Sequence, residues 1–327
     1  MATNLTAQDA LASIESLDEL IARIRDRDMI PGWLEHNTSL FWPAPRSAFV
    51  PAHWNYADAR AGMRAAGRLV DTDLAERRNF ILRNPIEGNA FASLRTMVCA
   101  YQSILPGEKA RSHRHSSHAL RVILESRGSY SIVNGEKHPM ESGDIILTPG
   151  GCWHGHGHAE DGSEQGFWFD GLDIPLTHLL EPVFAEQYPD DYEPARVERE
   201  RSSMRFPWAE TVAALDAAAP DEAGYLGRSI VLEAPQMPTL TLGVHRWPAG
   251  WRGRPYRHTA NTINVIMQGQ GRSIIEDQAF DWGFGDTIAI PMWHRIEHQS
   301  SEDAVVFSMS DENLMRWANY YRFEGLG

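Results

Sequence analysis

Residues 104–154 read ILPGEKARSHRHSSHALRVILESRGSYSIVNGEKHPMESGDIILTPGGCWH, and residues 246–294 read RWPAGWRGRPYRHTANTINVIMQGQGRSIIEDQAFDWGFGDTIAIPMWH. Both stretches run through a proline–glycine turn, a polar segment with histidine, an apolar strand, a Gly-Asp turn leading to an apolar strand and proline, and finally Trp-His. Short apolar runs cut by Gly, Pro and Asn read as strands. Asn134-Gly135 is a hairpin signal, because both residue types tolerate positive φ. A short-strand unit that recurs after about 140 residues predicts two related β-barrels or sandwiches in one chain.

Around these copies the text is different. Residues 6–27 place Leu11, Ile14, Leu17, Leu20, Ile21 and Ile24 at helical spacing, and an Ala- and Arg-rich stretch near 57–69 reads as a second helix. Proline-rich sequence (42–54) lies between them, LLEPVFAEQY after the first copy reads as a helix, and ENLMRWANYYRF as a C-terminal one. The predicted layout is a helical N-terminal region (1–78), a first barrel (79–177), a connector (178–225), a second barrel (226–310) and a C-terminal helix (311–327).

The 327 residues are 43% hydrophobic and 23% charged, which is globular composition. Thirty Lys+Arg against 44 Asp+Glu give a net charge of −14, a field that disfavours nucleic acid and anionic membranes. A small anion remains admissible where arginines converge. Cys99 and Cys152 are too few for a disulfide framework, and Cys152 reads as a small buried residue. No apolar run has the roughly 20 residues that a spanning helix needs, and no signal-peptide pattern opens the chain, so a cytoplasmic location is expected.

Seven of the 14 histidines fall between positions 113 and 158. His113 and His115 are two apart, so on a strand they share a face. His154 returns after the hairpin and the Gly-Asp strand. Three neutral imidazoles can cap one side of a metal and leave positions open for substrate, which marks a catalytic rather than a structural site. A surface histidine patch is the weaker reading of these three, whereas His118, His138 and His158 fit it better.

Gly107-x5-His113-x-His115 and Gly143-x5-Pro149-x-Gly151-x2-His154 resemble the two signature motifs of the cupin superfamily, and the duplication resembles a bicupin. The glutamate that usually follows the histidine pair is missing, and SSHALR brings Arg121 instead. With ERRNFILRNP (76–85), YQSILPGE (101–108), WHGHGH (153–158), FDGLDIPL (169–176) and RGRPYRHT (252–259), the chain resembles the gentisate 1,2-dioxygenase group, which includes relatives acting on salicylate and 1-hydroxy-2-naphthoate.

The resemblance implies a mainly β fold with flanking helices, made of two cupin (double-stranded β-helix, jelly-roll) barrels. It also implies Fe(II) at His113, His115 and His154, a small aromatic carboxylate and dioxygen as substrates, and a homodimer or homotetramer. Imidazoles alone would admit Mn, Ni or Cu as well. Arg121 and the Arg77-Arg78 pair are the candidate carboxylate clamp, since a guanidinium holds a carboxylate in a fixed fork; which of the pair faces inward stays open. His156 is expected beside the metal, to hydrogen-bond a ring hydroxyl or move a proton. Gln102 is implied as a pocket residue, and Asp170 as a partner that orients an imidazole or arginine. Trp168 either stacks on the substrate ring or fills the core.

Relatives commonly carry tryptophan where this chain has Val98, which implies a wider pocket. In the second copy Tyr256 replaces the first histidine, Asn264 replaces Arg121, and His258 and His294 remain, a set expected to bind metal poorly or not at all. Another cupin chemistry (isomerase, lyase or β-diketone dioxygenase) and a non-catalytic binding protein are the competing readings. The arginines argue against the first, and an open three-histidine site against the second.

Overall fold

A computed structural model of the chain describes residues 11–33, 41–75, 77–161, 164–199 and 201–327. Residues up to Pro45 form one compact unit and Arg46–Gly327 another. In the first unit the helix is Leu17–Arg25, shorter than the 6–27 periodicity predicts. The Ser16 hydroxyl caps it by accepting from the Glu19 amide, and before it residues 11 and 12 are also helical and end in a turn at Ser13. The remainder of that expected helix, 6–10, lies outside the described residues.

The second unit holds two pairs of sheets, antiparallel except where Val197–Glu198 pairs parallel with Glu136–Pro139. In the first barrel the strands Ala119–Glu125, Gly166–Leu172 and Val98–Ile104 run through the middle of one sheet, and Lys109–His115, His154–His158 and Ser129–Val133 through the middle of the other. The second barrel repeats this with Thr262–Gln268, Ala304–Ser310 and Thr241–Trp247 facing Tyr256–His258, Ile296–Ser300 and Gly271–Ile275. Side chains alternate across each strand. Leu120, Val122 and Leu124 therefore join Ile263, Val265 and Met267 in one apolar cluster shared by both barrels. The intervening Arg121 and Asn264 turn into their own barrels, where they line separate cavities.

Two straps carry the chain across the predicted boundaries. Ala52–Trp54, expected in the N-terminal region, pairs with Thr287–Ile290 of the second barrel. Arg205–Phe206, expected in the connector, pairs with Ile145–Thr148 of the first. Each strap ends on a Gly-Asp turn of the repeat. Asp144 accepts from the Trp208 amide (2.9 Å) and from Arg205, while Asp286 accepts from the Tyr56 amide (2.8 Å), Asn55 and His53. The glycines before them, Gly143 (φ +93°) and Gly285 (φ +81°), lie so close to Trp208 and Tyr56 that a Cβ would collide with either ring.

The connector corrects the sequence reading in a second way. The helix is Ile174–Leu180 and stops where Glu181 takes a left-handed φ of 71°. Ala185–Gln187 is then a strand that pairs with His113–His115 and braces the histidine pair from outside. At the other end of the chain only Glu312–Trp317 is helical, and Phe323–Gly325 closes as a strand against Tyr256–His258. Tyr56–Leu69 matches the second predicted helix, and Asn134-Gly135 turns the hairpin with φ of +48° and +81°.

Candidate metal centre and its cavity

His113 and His115 project from one strand, and the ladder puts His113 opposite His154 on the next. One ring nitrogen from each of the three can be chosen so that all lie within 4.8 Å of one another, the one cluster of three metal-capable side chains among the described residues. His115 Nδ1 lies 2.9 Å from the Ser117 carbonyl and His154 Nδ1 lies 3.1 Å from the Cys152 carbonyl. A carbonyl only accepts, so the proton sits on Nδ1 and the lone pair on Nε2, as ligation requires.

Burial is the first cause that lowers all three: His113 to about 3, His115 to about 4, and His154 well below the usual imidazole range, with Arg77 or Arg121 adding repulsion. Neutral nitrogen donors on one face, with no carboxylate among them, suit a divalent first-row metal. The residues present therefore fit a metal.

A cavity of about 410 Å³ opens over this triad. Arg77, Gln102, Arg121 and Asp170 line it together with Val98, and on its outer side Asn79, Ile81, Phe91, Leu172, Ile174 and His178. Arg77 faces inward: its Nη2 is 2.8 Å from the Arg111 carbonyl and 2.5 Å from His113 Nδ1. A guanidinium only donates, so Nδ1 accepts in that contact. Ligation through Nε2 needs the proton on Nδ1, which this contact does not allow, so the Arg77 head has to leave His113 when the triad ligates.

Arg78 points the other way. It forks onto Glu108 at 2.5 and 2.6 Å and donates to the Val70 carbonyl, buried away from the cavity, so its expected place in the clamp is corrected.

Arg121 is buried, with Nη1 donating to Thr148 Oγ1 at 2.7 Å. Its Nε lies 3.3 Å from Asp170 Oδ1, close enough for an ion pair but without hydrogen-bond alignment. Burial lowers the Arg121 pKa and raises that of Asp170, and each charge opposes the shift of the other. Burial is the larger effect on each, and the facing charge of the partner offsets part of it. Trp168 donates to Asp170 Oδ2 at 3.1 Å, is fully buried and does not reach the cavity. Of its two expected roles the core one is met, and the indole fixes Asp170 rather than stacking on a ligand.

Gln102 is buried, lines the cavity and makes no side-chain hydrogen bond to another described residue. His156 lies behind the triad, its ring 6.0 Å from that of His154 and 5.8 Å from Trp168, and it does not line the cavity. Both its ring nitrogens are buried without a partner, and burial first, then Arg121, keeps it neutral. Cys152 is only partly buried, whereas Cys99 is the buried thiol and reaches the cavity wall.

Sequence reading missed the outer wall. Arg77, Asn79 and Ile81 alternate onto one face, a signal present in RRNFI but lacking a phase until one of them is placed. Phe91 and His178, whose rings are 5.4 Å apart, come from segments with no shared pattern.

The second barrel departs at the register. His113 faces His154 in the first barrel, but Tyr256 faces Ile296 in the second. Ser131 faces His156, and Ser273 faces His298. The Trp-His of the shorter second motif thus falls two residues early, leaving His294 in the turn before the strand, where it does not line that barrel's cavity. The structural counterparts of the ligand positions on the paired strands are Tyr256 and Ile296, not Tyr256 and His294.

Comparison with known proteins agrees with this architecture. A cupin-domain family profile matches residues 100–168. The chain is 29% identical to gentisate 1,2 dioxygenase 1 of Aquipseudomonas alcaligenes over 93% of this chain and 95% of that one. It is 32% identical to 5-aminosalicylate 1,2-dioxygenase of Comamonas sp, over 94% and 89%. Its fold superposes on the crystal structure of salicylate 1,2-dioxygenase from Pseudoaminobacter salicylatoxidans in an adduct with gentisate, with a TM-score of 0.84, 26% identity and coverage of 96% and 95%.

Proposed function

The chain belongs to the gentisate 1,2-dioxygenase-like family of aromatic ring-cleaving cupin dioxygenases, and from that premise we propose that it is an Fe(II) enzyme acting on gentisate or a related ortho-hydroxybenzoate. The reaction inserts dioxygen between the carboxyl-bearing and hydroxyl-bearing ring carbons and gives a maleylpyruvate-type product. One observation carries this reading: Arg77 and Arg121 line the same cavity as three neutral histidines, so a carboxylate is matched by cations in a protein whose net charge is negative. When bound, Fe(II) supplies a chelation point for the carboxylate and phenolic oxygens and the activation of dioxygen.

The protein's own side chains do the rest. Arg77, drawn off His113, takes the substrate carboxylate, and Arg121, held by Asp170 and Thr148, presents a fixed positive charge to the developing negative one. Gln102 offers its carboxamide to a ring substituent. His156, neutral behind His154, packs its ring between His154 and Trp168 and does not touch substrate. The second barrel is assigned no metal.

Val98, with Ile81, Phe91, Leu172 and Ile174, makes one side of the cavity apolar. That wall favours a second reading within the same chemistry, a substituted salicylate or 1-hydroxy-2-naphthoate. Oxygen uptake by the Fe(II)-loaded enzyme with gentisate, salicylate, halo- and nitro-salicylates and 1-hydroxy-2-naphthoate decides between them. Absence of uptake with every ortho-hydroxy acid would contradict both.

A further inference from the structure

The second barrel keeps a cavity at the place of the first. About 190 Å³ in volume, it is lined by Tyr256, His258, Asn264 and His298, which are 6, 8, 4 and 2% exposed. Asn264 stands opposite Ser308, as Arg121 stands opposite Asp170, so the ion pair of the first barrel is replaced here by neutral groups.

His258 Nδ1 accepts the Ala260 amide at 3.2 Å, and burial lowers its pKa to about 4; the neutral ring carries its proton on Nε2. His298 Nδ1 lies 2.8 Å from Ser273 Oγ, which also accepts from Trp282 at 3.0 Å. The arrangement that satisfies all three groups has Ser273 donating to Nδ1, so His298 also carries its proton on Nε2. Neither Nε2, nor the Asn264 carboxamide, nor the Tyr256 hydroxyl bonds to another described residue. All four belong to buried residues yet open onto the cavity, and their convergence there without a protein partner points to a ligand.

We infer that this cavity is a second binding site, for an uncharged single-ring phenol. A cavity of roughly 150 Å³ admits benzene, so the volume fits one ring with an oxygen substituent. Two imidazole N–H groups and a carboxamide suit that oxygen. The ring lies among Trp247, Tyr256 and Phe323, which offer aromatic faces. No lysine or arginine lines the cavity and Glu312 does, so an aromatic carboxylate of the kind the first barrel takes is excluded here. Val231 at the rim is 67% exposed and gives access from solvent.

Fluorine NMR titration of the Fe(II)-loaded chain with 4-fluorophenol tests this. Saturable binding is expected, weakened about tenfold or more by Asn264→Leu and by His258→Phe, retained in Arg77→Gln, and not competed by 4-fluorobenzoate. A titration that does not saturate, or binding lost in Arg77→Gln yet kept in Asn264→Leu, overturns the inference. Crystals of the wild-type chain soaked in 4-bromophenol give a check that no variant's folding can confuse. Anomalous bromine density beside His258 and His298 supports the site, and density confined to the first barrel refutes it.

Discussion

Arg77 and Arg78 are neighbours in sequence with opposite tasks, because consecutive strand residues face opposite sides. Arg77→Gln should leave the iron content unchanged and reduce kcat/KM for hydroxybenzoates about 10- to 100-fold, the 1.5–3 kcal/mol of a charge-assisted hydrogen bond. Arg78→Gln strands the Glu108 carboxylate and should lower stability, by on the order of 3 kcal/mol in urea unfolding, with less effect on KM. Steady-state kinetics beside denaturation curves separate the two.

Val98 tests the wall. Val98→Trp should shift selectivity away from 1-hydroxy-2-naphthoate towards gentisate, and equal efficiencies for wild type and variant across gentisate, salicylate and the bicyclic acid would show that this position does not shape the pocket. The three histidines and Arg121 were legible from spacing and resemblance. The phase that separates Arg77 from Arg78 was not, since both sit where an alternating pattern can begin.

At the scale of elements, hairpins and repeated strands could be read because their signals are local: a positive-φ pair at Asn134-Gly135, and a Gly-Asp turn before each apolar strand. The straps could not, because Ala52–Trp54 and Arg205–Phe206 pair with strands far away in sequence and carry no pattern of their own. The same limit explains His294. Matching Trp-His to Trp-His is reasonable in text, but two fewer residues before the strand change which side chain enters the barrel. If Asp286 secures its strap as the geometry indicates, Asp286→Ala leaves the Tyr56 and Gly283 amides and Asn55 without their acceptor. A loss of about 3 kcal/mol in urea unfolding is expected, whereas a loss below about 0.5 kcal/mol, the range of ordinary surface changes, would show that the strap holds without it.

Over the whole molecule, two barrels built on one repeated pattern have diverged in charge: arginines and histidines line the cavity of one, and a polar cavity with Glu312 and no lysine or arginine lies in the other. Among the described residues no helix is long and apolar enough to cross a membrane. Burial lowers His245 and His258 to about 4 and His298 to about 3, against about 6.5 in an unfolded chain. Below pH 6.5 the unfolded state then binds more protons than the folded one, so stability falls as the pH drops and these groups stop contributing further loss near their folded values. At pH 5 each costs on the order of 2 kcal/mol. The carboxyls of Asp170, Asp173 and Asp311, raised first by burial, act in the opposite sense and offset part of this loss. Urea midpoints should therefore fall between pH 7 and pH 5, and a flat profile would contradict the buried, neutral state of these imidazoles. The central claim is narrower: one iron, held by His113, His115 and His154, opens an aromatic ring. Oxygen consumption and bound iron, measured on one sample loaded anaerobically with Fe(II), desalted and given gentisate or salicylate, tests it directly. The account predicts one iron per chain with oxygen uptake in the wild type and loss of both in His113→Ala; a variant that keeps its iron and its uptake would contradict it.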